Sequence, residues 1–209
     1  MKKPARMIPG LFLALALAAA FPDPSRAGEP GAGPVSMAFR DWDGYYQVEG
    51  SFFVKADAAL VWQVLTDYDH IPRFVSSMKE SRVLSRDNGN LVLEQQAEGG
   101  FLFFTQRARL TLLVTETPES SITFQNTDFR DFDVYWGDWN LEPRADGVEV
   151  GYRVWVHPNF SAPLAGDILH GSSKDLMEAV RREILNRQAG ELKQASSPTP
   201  VPPGPRENL

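Results

Sequence analysis

Between Tyr46 and Lys55, Tyr46, Val48, Gly50, Phe52 and Val54 alternate with Gln47, Glu49, Ser51 and Lys55, the period of a strand with one buried face. The spacing then turns helical. Leu60, Val61, Val64, Leu65 and Tyr68 share one face of a short helix within Asp57–Met78, which Asp57 is suited to cap and Pro72 breaks. Beyond Pro72 the chain reads as strands: Ser81–Ser85, then Leu91–Ala97 across Asp87-Asn88-Gly89-Asn90, where Asn-Gly favours a hairpin. Gly99-Gly100 reads as a bend or bulge, after which Ala108, Leu110, Leu112 and Val114 alternate with Arg107, Arg109, Thr111 and Thr115. Pro118-Glu119-Ser120 turns the chain into Ile122–Asn126, and strands over about Asp133–Glu142 and Val148–His157 are joined by Pro143–Gly147. The count is seven strands, antiparallel because the links are short.

From Ala162 the period changes again. Leu164, Ile168, Ser172, Leu176, Val180 and Ile184 fall four apart, with Leu169, Met177 and Leu185 alongside, while Lys174, Asp175, Arg181, Arg182 and Arg187 take the outer face. This predicts one long C-terminal helix, with Gly166 and Gly171 loosening its start and keeping that end thin. A strand, a short helix, a run of strands and a terminal helix imply an α+β architecture in which a curved antiparallel sheet wraps the last helix.

The two ends of the chain are different in kind. Lys2, Lys3 and Arg6 precede an apolar run from Met7 to Phe21, and Ser25-Arg26-Ala27 offers small residues for a signal peptidase. That layout predicts a signal peptide over 1–27, the apolar run being short for a span of about 20 residues. Cleavage would leave 17 basic and 26 acidic side chains, a net charge of −9. Such a balance opposes a nucleic-acid partner. The chain has no cysteine, which removes disulfides, thiolate metal sites and a lipid-modified N-terminal cysteine. Gly and Pro enrich the stretch after Ala27, and the end reads SSPTPVPPGPRENL. The expected organisation is a disordered linker over 28–36, one domain over 37–193 and a Pro-rich disordered tail over 194–209. The predicted location is the periplasm of a Gram-negative cell.

The order of elements, with Val61-Trp62-Gln63-Val64-Leu65-Thr66-Asp67-Tyr68, Ile71-Pro72, Phe74, the Gly137-x-Trp139-x-Leu141-x-Pro143 segment, Tyr152, Pro158 and Leu176–Leu185, resembles the helix-grip fold of the START-like (SRPBCC, Bet v 1-like) superfamily. It is similar in particular to the branch called polyketide cyclase/dehydrase and lipid transport, which includes coenzyme Q-binding START-like proteins. The resemblance covers about Gly44 to Arg187.

What it implies is a deep apolar cavity between the concave face of the sheet and the C-terminal helix, used to bind or carry a lipid, an isoprenoid or quinone, or an aromatic compound. Strand parity and helix face then select lining residues. On the strands they are Phe52, Phe101, Phe103, Phe124, Trp139 and Tyr152. Around the helices they are Phe74, Met78, Leu169 and Met177, with Phe74 and Met78 as candidates for a movable lid. The expected partner is a hydrophobic small molecule or lipid, with transient membrane contact, no cofactor and a monomeric state.

A rival reading is a cyclase- or dehydratase-type enzyme in the same cavity. Its candidate groups are Asp128, Arg130, Asp131, Asp133 and Asp138 with Arg107 and Arg109, and the three histidines His70, His157 and His170. Asp128–Asp133 reads more simply as a polar loop with a local Asp–Arg pair, and Arg107 and Arg109 share a solvent-facing strand side with Thr111. No HExxH, GxSxG, phosphate loop or GxGxxG is present, so neither a catalytic residue nor a metal ligand is assigned. A third reading is a protein-interaction module using the sheet edge or the tail.

Overall fold

The computed structural model describes residues 34–101, 104–159 and 165–195 of the 209-residue chain. The expected signal peptide, most of the linker and the tail beyond residue 195 lie outside the described residues. Among those described there are eight strands, not seven: β1 Ser36–Trp42, β2 Tyr45–Val54, β3 Met78–Asp87, β4 Asn90–Phe101, β5 Phe104–Thr117, β6 Ser121–Asn126, β7 Phe132–Arg144 and β8 Gly147–Pro158. Helix α1 spans Ala58–Leu65, a 3₁₀ segment spans Tyr68–Arg73, and α2 spans Ala165–Ala195. Two residues expected in the tail, Gln194 and Ala195, therefore belong to the helix.

The strands form one curved, unclosed antiparallel sheet in the order β1-β2-β8-β7-β6-β5-β4-β3. This is the helix-grip α+β arrangement. The additional strand, β1, pairs with β2 from Ser36↔Ser51 to Trp42↔Tyr45. The turn between them places Asp43 at φ 56° and Gly44 at φ 81°, close to Asn88 at 47° and Gly89 at 81° in the β3–β4 turn. Two successive positive φ values suit the right-handed twist of a two-residue hairpin, and Asp-Gly is as good a signal for it as Asn-Gly.

Helix α1 buries Leu60, Val61, Val64 and Leu65. Asp57 has extended backbone at the N-cap and its carbonyl accepts from Val61 N at 3.1 Å, yet its side chain makes no capping hydrogen bond. The α-helix ends before Tyr68, which opens the 3₁₀ segment and is still buried.

Helix α2 lies against β1, β2, β4 and α1. Two glycines of the sheet lie directly against it. A Cβ at Gly50 would stand 2.5 Å from Met177 Sδ, and one at Gly99 would stand 2.8 Å from both Ile168 Cγ2 and Ser172 Oγ. Gly99 is thus neither bend nor bulge, since it pairs in register with Gln106; it lets the helix come close. Gly171 plays no such part, since a Cβ there would have nothing within 4 Å. Arg187 departs from the expected outer face and turns inward to Asp67. A single apolar cluster runs from the α1 face through the sheet to Met177, Val180 and Ile184. No described helix is long and apolar enough to cross a membrane.

Candidate functional site

Side chains alternate across a strand, so on β7 Tyr135 and Trp139 face the helix while Trp136 and Asp138 face away. Tyr152 and Val154 on β8 and Phe124 on β6 join the inward set. Between this concave face and α2 lie two lobes of space. The first, about 680 Å³ including some space open to solvent, runs under α1 and the 3₁₀ segment, with Tyr68, Phe74, Leu93, Leu112, Phe124 and Trp139 on its wall. The second, about 910 Å³ on the same measure, runs beneath the first half of α2, with Ala108, Phe132, Val154, Ile168, Leu169 and Ser173 on its wall. Four residues border both lobes: Met78, Tyr135, Tyr152 and Leu176.

Of the ten residues selected by parity and helix face, Phe74, Met78, Phe124, Trp139 and Tyr152 border the first lobe, and Leu169 borders the second. Phe52 and Met177 do not border either lobe. Both are buried in the packed core, because Met177 is pressed onto β2 over Gly50 and leaves no gap there. Parity places them on the correct face but cannot report that the face is filled at that point. Phe103 lies outside the described residues, and the side chain of Phe101 is likewise not described.

The wall also contains residues outside the ten selected. Tyr135 shares its parity with Trp139 four positions on, and that alternation is sufficient to find it. Gln95 is buried in the first lobe with Nε2 donating to Ser81 Oγ at 3.2 Å. Ser172 and Ser173 border the second lobe from α2.

The aromatic packing around the shared residues is dense. The Trp139 and Tyr152 rings are 4.5 Å apart, and Phe124 lies 5.9 Å from Tyr135 and 6.3 Å from Tyr152. The hydroxyls of Tyr135 and Ser173 are the neighbouring polar groups that act on the Tyr152 phenol. Burial pushes both phenols above their ordinary range, so each stays a neutral O–H at physiological pH. At the far end of the first lobe Tyr68 Oη and Glu116 Oε1 are buried without a well-aligned partner. They face each other, and burial followed by the Glu116 charge pushes the Tyr68 phenol far upward. Arg86 holds the other Glu116 oxygen at 2.7 Å.

None of the charged candidates for catalysis borders either lobe. Asp138 is on the outer face, held by Arg153 at 3.0 and 3.1 Å, and Arg153 in turn lies 5.0 Å over the Trp155 ring. Asp128 accepts from Thr111 Oγ1 at 3.0 Å and Asp131 from the Arg109 backbone at 2.7 Å. These carboxylates pin the 127–131 loop to β5, and no Asp–Arg ion pair forms within the loop. Arg107 and Arg109 are exposed, as their strand face implies. His157 stacks on Tyr45 with Nδ1 3.4 Å from Asp133, His70 bonds Asp67 at 2.7 Å, and His170 packs edge-on to Phe39. Among the described residues no three acidic or histidine side chains gather where a metal ion could sit.

Residues 54–185 match the family described as polyketide cyclase / dehydrase and lipid transport. No curated protein matches the chain. Among solved structures, the Zhui aromatase/cyclase from Streptomyces sp. R1128 is similar at 14% identity and TM-score 0.61, over 74% of this chain and 99% of that one. The STAR-related lipid transfer protein from Xanthomonas axonopodis is similar at 19% identity and TM-score 0.54, over 73% and 99%. Human STARD10 is similar at 13% identity and TM-score 0.57, over 84% of each chain. At these identities the likeness is one of fold.

Proposed function

This chain belongs to the polyketide cyclase/dehydrase and lipid transport family, and on that premise we propose that it binds and carries a hydrophobic small molecule in the two-lobed cavity beneath α2. The observation that carries the reading is the wall itself. Among the described residues it is built of aliphatic and aromatic side chains with a few neutral polar groups, and it contains no Asp, Glu, Lys, Arg or His. Acid–base chemistry on a substrate needs a group within reach of the reacting atom that titrates near the working pH, and the titratable groups on this wall, the phenols of Tyr68, Tyr135 and Tyr152, are pushed away from that range by burial. Binding needs only apolar surface withdrawn from water, at about 25 cal/mol per Å². The dispersal of Asp128, Asp131, Asp138 and Arg107 to loops and outer faces therefore favours carriage over catalysis.

Export completes the proposal: removal of residues 1–27 would release an acidic carrier whose cargo moves between membranes outside the cytoplasm. Lipids, isoprenoids including quinones, and aromatic compounds all fit the chemistry of the wall. The test is titration with an environment-sensitive prenyl or fatty-acyl fluorophore, together with native mass spectrometry of protein purified from its host. Saturable one-to-one binding and a co-purifying hydrophobic molecule are expected. Absence of both would refute carriage. A mature N-terminus at Gly28 in secreted material would support export, and an intact Met1 in the cell fraction would overturn it.

A further inference from the structure

Resting on the carrier reading, we propose that the hydroxyls of Tyr135, Tyr152 and Ser173 form a recognition site for one uncharged oxygen near the middle of an elongated ligand, a ketone or ester carbonyl flanked by two apolar arms. Tyr135 and Tyr152 border both lobes, so they stand at the waist of the cavity. Ser173, buried on α2, borders the second lobe from the helix side and acts on the Tyr152 phenol.

The chemistry of these groups defines what the site offers. Three neutral hydroxyls bring three O–H donors to the waist of a cavity whose other wall groups are almost all apolar. A carbonyl oxygen carries no proton of its own and accepts from whichever of these O–H groups turns into the cavity. In a pocket walled by Phe124, Trp139, Met78 and Leu176, an unspent donor costs free energy, and a carbonyl oxygen arriving at the waist would satisfy it. A carboxylate or phosphate arriving there would shed its hydration with no cation on either wall to replace it. The waist therefore selects against fatty acids and against phospholipid headgroups at that depth. Its position between two lobes also sets the ligand's shape: apolar matter on both sides of the oxygen, one arm beneath α1 and one beneath the first half of α2.

The same hydroxyls could merely tie α2 to the sheet, and the experiment separates the two roles. N-phenyl-1-naphthylamine is used as the reporter, displaced by heptadecan-9-one, heptadecane or hexadecanoate. The ketone is expected to displace it roughly tenfold more tightly than the alkane, the scale of one net hydrogen bond, and more tightly than the carboxylate. Tyr135→Phe and Tyr152→Phe should each bring the ratio of ketone to alkane affinity, measured in the same variant, down towards one. The carbonyl stretch of bound heptadecan-9-one, ¹³C-labelled at the ketone, should lie below its value in hexane and return towards it in Tyr135→Phe. That infrared readout works on wild-type protein even where a variant folds poorly. Equal affinity for ketone and alkane, an unshifted stretch, or preference for hexadecanoate would overturn the waist proposal while the cavity stands. Failure of the naphthylamine to bind at all would overturn the carrier reading beneath it.

Discussion

Arg187, two turns from the end of α2, donates to Asp67 across 120 positions of sequence at 2.7 Å. The same guanidinium donates from Nε to Glu183 at 2.8 Å, and the other Asp67 oxygen bonds His70 Nδ1 at 2.7 Å. Both partners are about three-quarters buried. The pair thus clasps the far end of the helix to the turn after α1, the segment that roofs the first lobe. Asp67→Asn or Arg187→Ala should cost roughly 1 to 2 kcal/mol, between an exposed ion pair and a charged hydrogen bond. Urea unfolding of both single variants and the double variant checks this. A coupling energy near zero would show that the contact contributes nothing.

The same clasp predicts a pH dependence. Partial burial opposes ionisation of Asp67, but hydrogen bonds from Arg187 and His70 outweigh it and hold the carboxyl below its ordinary value of 3.8. A depressed carboxyl adds stability that is fully present above the unfolded value and is lost as pH falls through the folded one. Between pH 5 and pH 2 the wild type should therefore lose more stability than Asp67→Asn. Parallel acid-unfolding curves for the two would contradict the assignment.

Two glycines test where the helix touches the sheet. Gly99→Ala puts a methyl group 2.8 Å from Ile168 and Ser172, and overpacking of this kind costs about 1 to 3 kcal/mol. Gly171→Ala meets nothing within 4 Å and should stabilise by up to about 1 kcal/mol through helix propensity. Thermal unfolding of the two variants should move in opposite directions.

The contrast shows what can be read from the sequence and what cannot. Asn88-Gly89 announces its hairpin because turn chemistry is local, and Asp43-Gly44 carries the same signal for β1, the strand missing from the expected seven. Alternation puts Trp139 and Tyr152 on the concave face, and the same alternation includes Tyr135. It also puts Phe52 there, where Met177 fills the space. Whether a face is packed or hollow depends on how close α2 lies to each strand, and that is set by pairs such as Gly50 with Met177 that are distant in sequence. The Asp67–Arg187 clasp is invisible for the same reason, its two halves each reading as ordinary polar positions of a helix or turn.

Phe74 follows the 3₁₀ segment and borders the first lobe from its roof. It is half-buried, and its backbone N–H bonds only the nearby Ile71 carbonyl at 3.1 Å, a short-range tie within a segment tethered to the rest of the fold by Asp67 and by Asp69, which accepts from Val83 N at 2.9 Å. Its side chain packs against the apolar cluster while remaining partly exposed. If it gates the lobe, Phe74→Ala should raise both the uptake and the release rate of N-phenyl-1-naphthylamine several-fold, with a smaller change in equilibrium affinity, since a gate lowers both barriers together. Stopped-flow mixing and chase measure the two rates. Loss of affinity through faster release alone would mark Phe74 as a contact of the bound molecule, and rates matching those of an exposed control such as Arg73→Ala would return the segment to plain packing.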